Sequence, residues 1–361
     1  MPAMKRKPKL DWPAVATAFA ATISHGALHP GAMEPAWAEH EKAKRQRKRP
    51  PRWALAFSGG ADSLALLLIF WAEGPGRWGR DFVVLHFNHR LRGRAARADE
   101  LFCAKVCAAL GVTFVAGRWN DAPRKASEAE ARAARFDFFR REMSRRRLRL
   151  LWLAHQQDDI AETMLMRLAR GSGTAGLAAP RPAQAMPDGR WHLRPLLTLK
   201  KAGIIAALRA AGATWREDAT NAGDDFFRNR IRTRVLPAWI QAAAGRDALA
   251  GAALARERLE EDDSALENWL AGLAPQRADG SLDLQRLAGR PRALWRRALH
   301  RWLLAQKPAP DLSRAGFETL LAACDAGRTT RQSLDRQRLA EVRAGRLTVR
   351  RAPQRAGKVP R

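Results

Sequence analysis

Tyrosine is absent from the 361 residues, cysteine occurs only three times, and acids are scarce, with 36 Asp+Glu against 65 Lys+Arg. Each shortage excludes something. Cys103, Cys107 and Cys324 form no CxxC pair, which excludes a disulfide framework and leaves a zinc site without its remaining ligands. Cys103 and Cys107, one helical turn apart in "ELFCAKVCAALG", read as two small buried hydrophobes in a reducing compartment. The longest apolar run, "LALLLIFWA" (64–72), is about half the ~20 residues a membrane-spanning helix needs, and the N-terminus carries no continuous apolar stretch of the secretory kind. The expectation is a cytoplasmic protein with no membrane partner. The shortage of acids leaves a formal net charge of +29, a field that draws polyanions. The missing tyrosine and abundant alanine suggest that compositional bias contributes part of the Arg excess.

Hydrophobic residues make up 46% of the chain, so the charge sits on a folded protein of two ordinary domains or one large one. Residues 1–50 begin basic and end in "EHEKAKRQRKRPP", a basic N-terminal extension or linker, with a short helix expected over Leu10 to His25. From Trp53 to about residue 228, short apolar runs alternate with helix-length segments: "WALAFS" (53–58), "DFVVLHFNH" (81–89), "VTFVAGRW" and "LRLLWLAH" (148–155) are strands separated by helices. Near-continuous apolar strands joined by helices predict an α/β domain, a parallel sheet flanked by helices, with ligands beyond its C-terminal edge. Thr198 is the expected cap of a later helix. Residues 229–330 read as mainly helical. Residues 331–361, with ten Lys/Arg and two acids, read as a basic C-terminal edge or tail.

The sharpest motif is "LAFSGGADSLALL" (55–67), a strand feeding Ser58-Gly59-Gly60-Ala61-Asp62-Ser63 and then a helix. Two glycines let the backbone approach a ligand, the helix N-terminus offers free N–H groups to an anion, and Ser58 and Ser63 add hydroxyls. A Walker lysine and a G-x-G-x-x-G fingerprint are both missing, which excludes a P-loop GTPase and an ordinary dehydrogenase. Asp62 is out of place in an anion loop unless a cation bridges it to phosphate, so it is a Mg²⁺ candidate; a dipole-favoured helix acid is the alternative.

A second acidic group follows another strand. "WLAHQQDDIAETMLMRL" puts His155 at the strand end, Asp158 and Asp159 at the helix start, and Glu162 on the same face. Asp62 and Asp159 can share one Mg²⁺ across a polyphosphate; alternatively Asp158 is the N-cap and Glu162 faces solvent. His155 reads as a phosphate donor. Glu128, Arg132 and Arg135 occupy one helix face, suited to a departing pyrophosphate or to a salt-bridged surface. His86, Asn88, His89 and Arg92 lie at the same rim. The run Arg140 to Arg149 reads as a solvated or polyanion-facing patch.

"SGGADS" resembles the pyrophosphate loop of the N-type ATP pyrophosphatases. Together with "VLHFNHRLRG" (84–93), "SEAEARAARF" (127–136), "LAHQQDDIAET" (153–163), "RPLL" (194–197), "WREDATN" (215–221) and "FFRNRIR" (226–232), it resembles the tRNA(Ile)-lysidine synthase family over residues 53 to 235. The resemblance implies a PP-loop catalytic domain (51–228) followed by a helical tRNA-binding domain. It also implies ATP and Mg²⁺ as cofactors, with free L-lysine and the isoleucine tRNA bearing a CAU anticodon as substrates. ATP would adenylate the C2 oxygen of the wobble cytidine, and the lysine ε-amine would displace AMP. Carried over by motif, Asp62 and Asp159 hold Mg²⁺, and Ser58, Gly59, Gly60, Ala61, Ser63, His86 and Arg135 meet ATP. His155 and Glu162 line the reaction centre with Asp218, while Asn88, Arg92, Arg132, Asn221, Arg228, Asn229 and Arg232 serve the substrate pocket. Oligomeric state is not legible, a homodimer being one option.

Two rival readings stand beside it. A tRNA thiolase of the same fold needs placed thiols, whereas Cys103 and Cys107 lie inside a helix and Cys324 is remote. A non-catalytic RNA-binding protein has no physical need for the clustered charges Asp62, Asp159 and Arg135.

Overall fold

The computed structural model describes residues 10–23, 25–47, 52–77, 82–123, 126–217, 226–310 and 312–352. The chain divides into two compact units, Met1–Leu259 and Glu260–Arg361.

The first unit begins with α1 (Trp12–Thr22) and α2 (Pro30–Arg45), followed by β1 (Trp53–Ala56), α3 (Ala61–Arg77), β2 (Phe82–Asn88), α4 (Arg94–Ala109), β3 (Thr113–Arg118), α5 (Glu128–Arg145), β4 (Leu150–Trp152), α6 (Gln157–Leu168) and the short α7 (Thr174–Leu177). Next come β5 (Ala183–Ala185), β6 (Trp191–Leu193), α8 (Lys201–Ala210), α9 (Phe227–Arg230), a π-helical turn over Ile231–Val235, α10 (Leu236–Ala242) and α11 (Ala248–Leu273), within which the division between the units falls. Strand order is β3-β2-β1-β4-β6-β5. All pairings are parallel except β5 with β6.

Why these runs form a doubly covered sheet is visible residue by residue. Strand side chains alternate between faces. Trp53, Leu55, Val84, Leu150 and Trp152 join the core with Phe19, Leu64, Leu67, Cys103 and Ile204 from α1, α3, α4 and α8. Ala54, Val83, Leu85 and Leu151 point the other way, against Phe138, Phe139 and Met143 of α5. Both faces are apolar because both are buried. From β1 the chain moves outward through β2 to β3, and β4 lies on the opposite side of β1. The reversal between β1 and β4 opens a crevice beyond their C-terminal ends, where both acidic segments emerge.

Three expectations change. Within residues 1–50, read as an extension or linker, the expected helix is present as α1, but it and α2 are part of the main core, supplying Trp12, Val15, Phe19 and Met33, so apolar periodicity there outweighs the flanking charge. Thr198 does not cap a helix: it lies in a 3₁₀ turn, Lys200 stands at the N-cap of α8, and the Thr198 hydroxyl donates to the Ala27 carbonyl. Residues 331–352 are not a separate tail. They form β8 (Thr330–Ser333), β9 (Arg338–Arg343) and β10 (Arg346–Arg351), an antiparallel sheet with β7 (Leu282–Asp283). This sheet packs on α12 (Arg292–Ala305) and α13 (Arg314–Asp325), with Ala340, Val342 and Leu347 in one core with Leu299, Trp302 and Leu320.

Candidate active site

The loop after β1 is braced from within. Ser63 Oγ accepts from the Ser58 amide at 3.2 Å and donates to the Gly60 carbonyl at 3.0 Å, while the two serine hydroxyls lie 3.1 Å apart. Gly59 has φ +89°, and a Cβ there would stand 3.1 Å from Cys103 Sγ and 3.4 Å from Phe102. Both the left-handed backbone and the tight packing therefore call for glycine. The Gly59 carbonyl accepts from the Arg216 amide at 2.9 Å, and Arg216 Nε donates to Asp99 at 2.7 Å. Ser58 is exposed and able to turn toward a ligand; Ser63 is buried and sets the loop. Ala61 opens α3, presenting that helix's N-terminus at the loop.

Positive charge is concentrated beside it. His155 is held well below its ordinary pKa by burial first, then by Arg194, Arg228, Arg132 and Arg135. Burial pushes Arg135 down to about 10, with Arg132 and Arg228 adding to it; burial and Arg132 do the same to Arg194, also to about 10. Burial first, and neighbouring guanidiniums second, make this pole a place where an added negative charge is favoured. His155 Nδ1, Arg135 Nε and Arg194 Nε are buried without a hydrogen-bond partner. Arg132 and Arg135 lie over the Phe136 ring at 4.7 and 5.5 Å from its centroid, and His192 packs on the same ring at 5.2 Å. Arg194 is fixed by the Arg181 carbonyl at 2.7 Å and Gln184 Oε1 at 3.0 Å. Its "RPLL" motif was legible, its place in the arginine cluster was not; the available signal was an arginine directly after an inner strand.

The carboxylates form the opposing pole. Asp62 is pushed up to about 6 by burial, with Lys201 opposing and Asp159 adding to the rise. Its Oδ1 is buried without a partner. Asp159 uses Oδ2 to accept from the Gln156 amide at 2.9 Å, closing the capping box of α6, and Oδ1 to accept from Arg228 at 2.7 Å. Glu162 is not a solvent-facing residue: at 1% exposure it accepts from Arg228 Nε at 2.9 Å and from Arg232 Nε at 2.6 Å. Nor does Asp158 occupy the N-cap of its own helix, since Gln156 stands there; its Oδ2 accepts from the Lys201 amide at 3.0 Å and caps α8 instead.

The donor set fits Mg²⁺ as a bridge to phosphate. Among the described residues no cluster of three or more His, Cys, Asp or Glu surrounds a metal position, so Asp62 and Asp159 would supply a minority of the ion's oxygens, with phosphate and water supplying the rest, as suits this ion. The unpartnered Asp62 oxygen is free to ligate, and Asp159 keeps lone pairs beyond its two hydrogen bonds. Adjacent is a cavity of about 460 Å³ lined by Asp158, Glu162, Lys201 and Arg232 on one side and by Leu236, Pro237 and Ile240 on the other.

Other expected residues work behind the loop. His86 Nδ1 lies 2.8 Å from the Phe57 carbonyl, and burial lowers its pKa. Asn88 donates to Glu100 at 2.8 Å and to the Ala96 carbonyl at 3.2 Å, and Arg92 pairs with Asp99 at 2.9 Å. These contacts tie β2 to α4. Asn229 is buried and its carbonyl accepts from Thr233. Asp218 and Asn221 lie outside the described residues.

A glycine-turned anion loop at the switch point of a parallel sheet, flanked by arginines and paired carboxylates, is the arrangement of a nucleotide-binding domain. A model of the PP-loop domain matches residues 34–239, and the chain belongs to that family of ATP-binding domains. Among curated proteins it is similar to tRNA(Ile)-lysidine synthase of Solibacter usitatus, 43% identical over 52% of this chain and 40% of that protein. The enzyme of the same name from Geobacter sulfurreducens is 36% identical over 82% and 61%. That from Pseudomonas putida is 33% identical over 78% and 66%. The chain thus spans 40% to 66% of the length of these relatives.

Proposed function

We propose that this chain is a tRNA(Ile)-lysidine synthase, joining free lysine to C2 of the wobble cytidine of the CAU-bearing isoleucine tRNA in the cytoplasm. The observation that carries the reading is the cluster of Arg132, Arg135, Arg228 and the buried Arg194 around His155 beyond the anion loop. Such a site stabilises charge as pyrophosphate departs. The cytidine C2 oxygen attacks the α-phosphorus of ATP, the bond to the bridging oxygen breaks, and pyrophosphate leaves toward the arginines. When bound at Asp62 and Asp159, Mg²⁺ supplies charge neutralisation between the carboxylates and the polyphosphate.

The second half uses the neighbouring cavity. Its apolar wall of Leu236, Pro237 and Ile240 suits a butyl chain, and its carboxylates and cations suit the two charged ends of an amino acid. A free ε-amine has a pKa of ~10.4, so it must lose a proton before it attacks. Glu162, held by Arg228 and Arg232, orients the amine; the nitrogen then bonds to C2, AMP leaves with the C2 oxygen, and the extra proton passes to a carboxylate. A thiol relay has no support from Cys103, Cys107 and Cys324, all buried. Burial pushes Cys103 well up and takes Cys107 to about 12.

Mass analysis of the tRNA product tests the proposal. The expected product gains one lysine less water at the wobble cytidine and forms only with ATP, Mg²⁺ and lysine. A sulfur-for-oxygen change would select the thiolase, and an unmodified tRNA with every donor would leave a binding protein.

A further inference from the structure

Beyond the nucleotide site, the opposite edge of the main sheet carries an unassigned basic surface. Trp53, Leu150 and Trp191, the first residues of β1, β4 and β6, stand in register. The residues just before them are Arg52, Arg149 and Arg190, so three adjacent strands are each entered through an arginine. Neighbouring strands lie ~4.8 Å apart, which sets the three backbones in one row; the Trp191 amide donates to the Arg149 carbonyl at 2.8 Å. Beside the row, a cleft of about 590 Å³ opens under the C-terminal end of α5, lined by Ser144, Arg147, Arg149, Asp188 and Arg190.

The acids facing this cleft are fewer than the cations. Asp188 pairs with Arg190, whose guanidinium also donates to Ser144. Glu142 is shared by Arg145 and Arg146, and Glu39 of α2 pairs with Arg149 at 2.9 Å. One turn beyond Glu39 on the same helix face, α2 adds Lys42. Arg147 is exposed, without an acidic partner among the described residues, and it holds φ 56°, a conformation that favours glycine. Arg147, just past the end of α5, and the strand-entry arginines Arg149 and Arg190 converge on this concave surface, a spacing that matches the phosphates of an RNA backbone.

We propose that this strand-entry edge is a second RNA-backbone contact, one that holds the tRNA body outside its anticodon arm. The inference rests on the proposed tRNA substrate. The test compares full-length tRNA with its isolated anticodon stem-loop, using the double variant Arg147→Gln/Arg149→Gln and the single variant Arg147→Gln, whose side chain touches no partner that folding requires. For the double variant, affinity for full-length tRNA should fall at least about fivefold, and the slope of log K against log[salt] should become shallower by about 1.5, two contacts at ~0.7–0.9 each. Arg147→Gln alone should give about half that change in slope. Stem-loop binding and kcat at saturating tRNA should be unchanged. Unchanged affinity and slope for full-length tRNA, or an equal loss for both RNAs, would overturn the proposal. Inorganic phosphate at millimolar concentration should not compete with tRNA at this surface; full competition would reassign it to a small anion. Absence of lysine in the product of the unsubstituted protein, with RNA affinity still falling in the variants, would remove the catalytic reading and leave this surface standing.

Discussion

Asp62 carries a buried, unpartnered oxygen, whereas Asp159 is braced by a helix cap and an arginine. Asp62→Asn and Asp159→Asn should each slow tRNA-dependent pyrophosphate release by about a hundredfold or more, as expected when charge stabilisation at a phosphoryl centre is lost. Affinity for tRNA should stay within about twofold, because its backbone contacts lie elsewhere. Measuring release and binding separately decides between metal work and mere capping; normal release would return both acids to the helix dipole. His192 gives a pH prediction. Burial, Arg194 and Arg132 lower its pKa to about 4, with Asp188 opposing. The folded state therefore disfavours the proton, the unfolded chain binds more protons between roughly pH 6.5 and 4, and stability falls as pH drops through that window. His192→Gln should flatten the fall by no more than about 3 kcal/mol at full protonation, ~1.4 kcal/mol per pKa unit. Denaturant unfolding of both proteins at about pH 7 and about pH 5 measures it.

At the scale of the element, α6 concentrates the chemistry because its first turn is fixed from both sides. Gln156 accepts from the Asp158 amide at 2.5 Å while Asp159 accepts from the Gln156 amide at 2.9 Å. Gln156→Ala should cost about 1 kcal/mol of stability and raise the Mg²⁺ concentration needed for half-maximal pyrophosphate release, since the first turn that carries Asp159 loses the side-chain half of its capping box while the bond from the backbone amide at 156 to Asp159 remains. A Mg²⁺ titration with unchanged midpoint would show that the cap is structural only. The strands, loops and charged residues of this region were legible because each motif is a short segment directly after an apolar run, where a parallel sheet delivers its ligands. The pairings were not. Glu162 meets Arg228 and Arg232 from 66 and 70 residues away, and Asp158 caps α8 across 43 residues; local spacing carries no information on contacts made by tertiary packing. The basic segment around residue 340 was illegible for a related reason. Arg331 and Arg350 flank the buried Glu341 on one face of the small sheet, while Ala340, Val342 and Leu347 fill the other, an alternation too diluted by arginine to read as strands.

At the scale of the whole molecule, the proposed function and the charge of +29 together imply two separable kinds of binding. On the proposed reading, ATP meets Arg135 and the buried Arg194, which salt screens weakly where solvent is excluded. The proposed tRNA would meet exposed arginines such as Arg145 and Arg149, whose side chains are 64% and 52% exposed and whose counterions would be released on contact. If six or more phosphates are engaged, log K for tRNA should fall with log[salt] at a slope of about −4 or steeper, while the KM for ATP at saturating tRNA should change less than about threefold over the same range. Filter binding and pyrophosphate-release kinetics, each run from about 50 to about 200 mM salt, measure the two quantities. Parallel loss of both would mean that the nucleotide site itself is open to solvent, contrary to the burial of Arg194 and Glu162. A shallow slope for tRNA would mean that the surface charge is solvated bulk, with recognition confined to the anticodon arm.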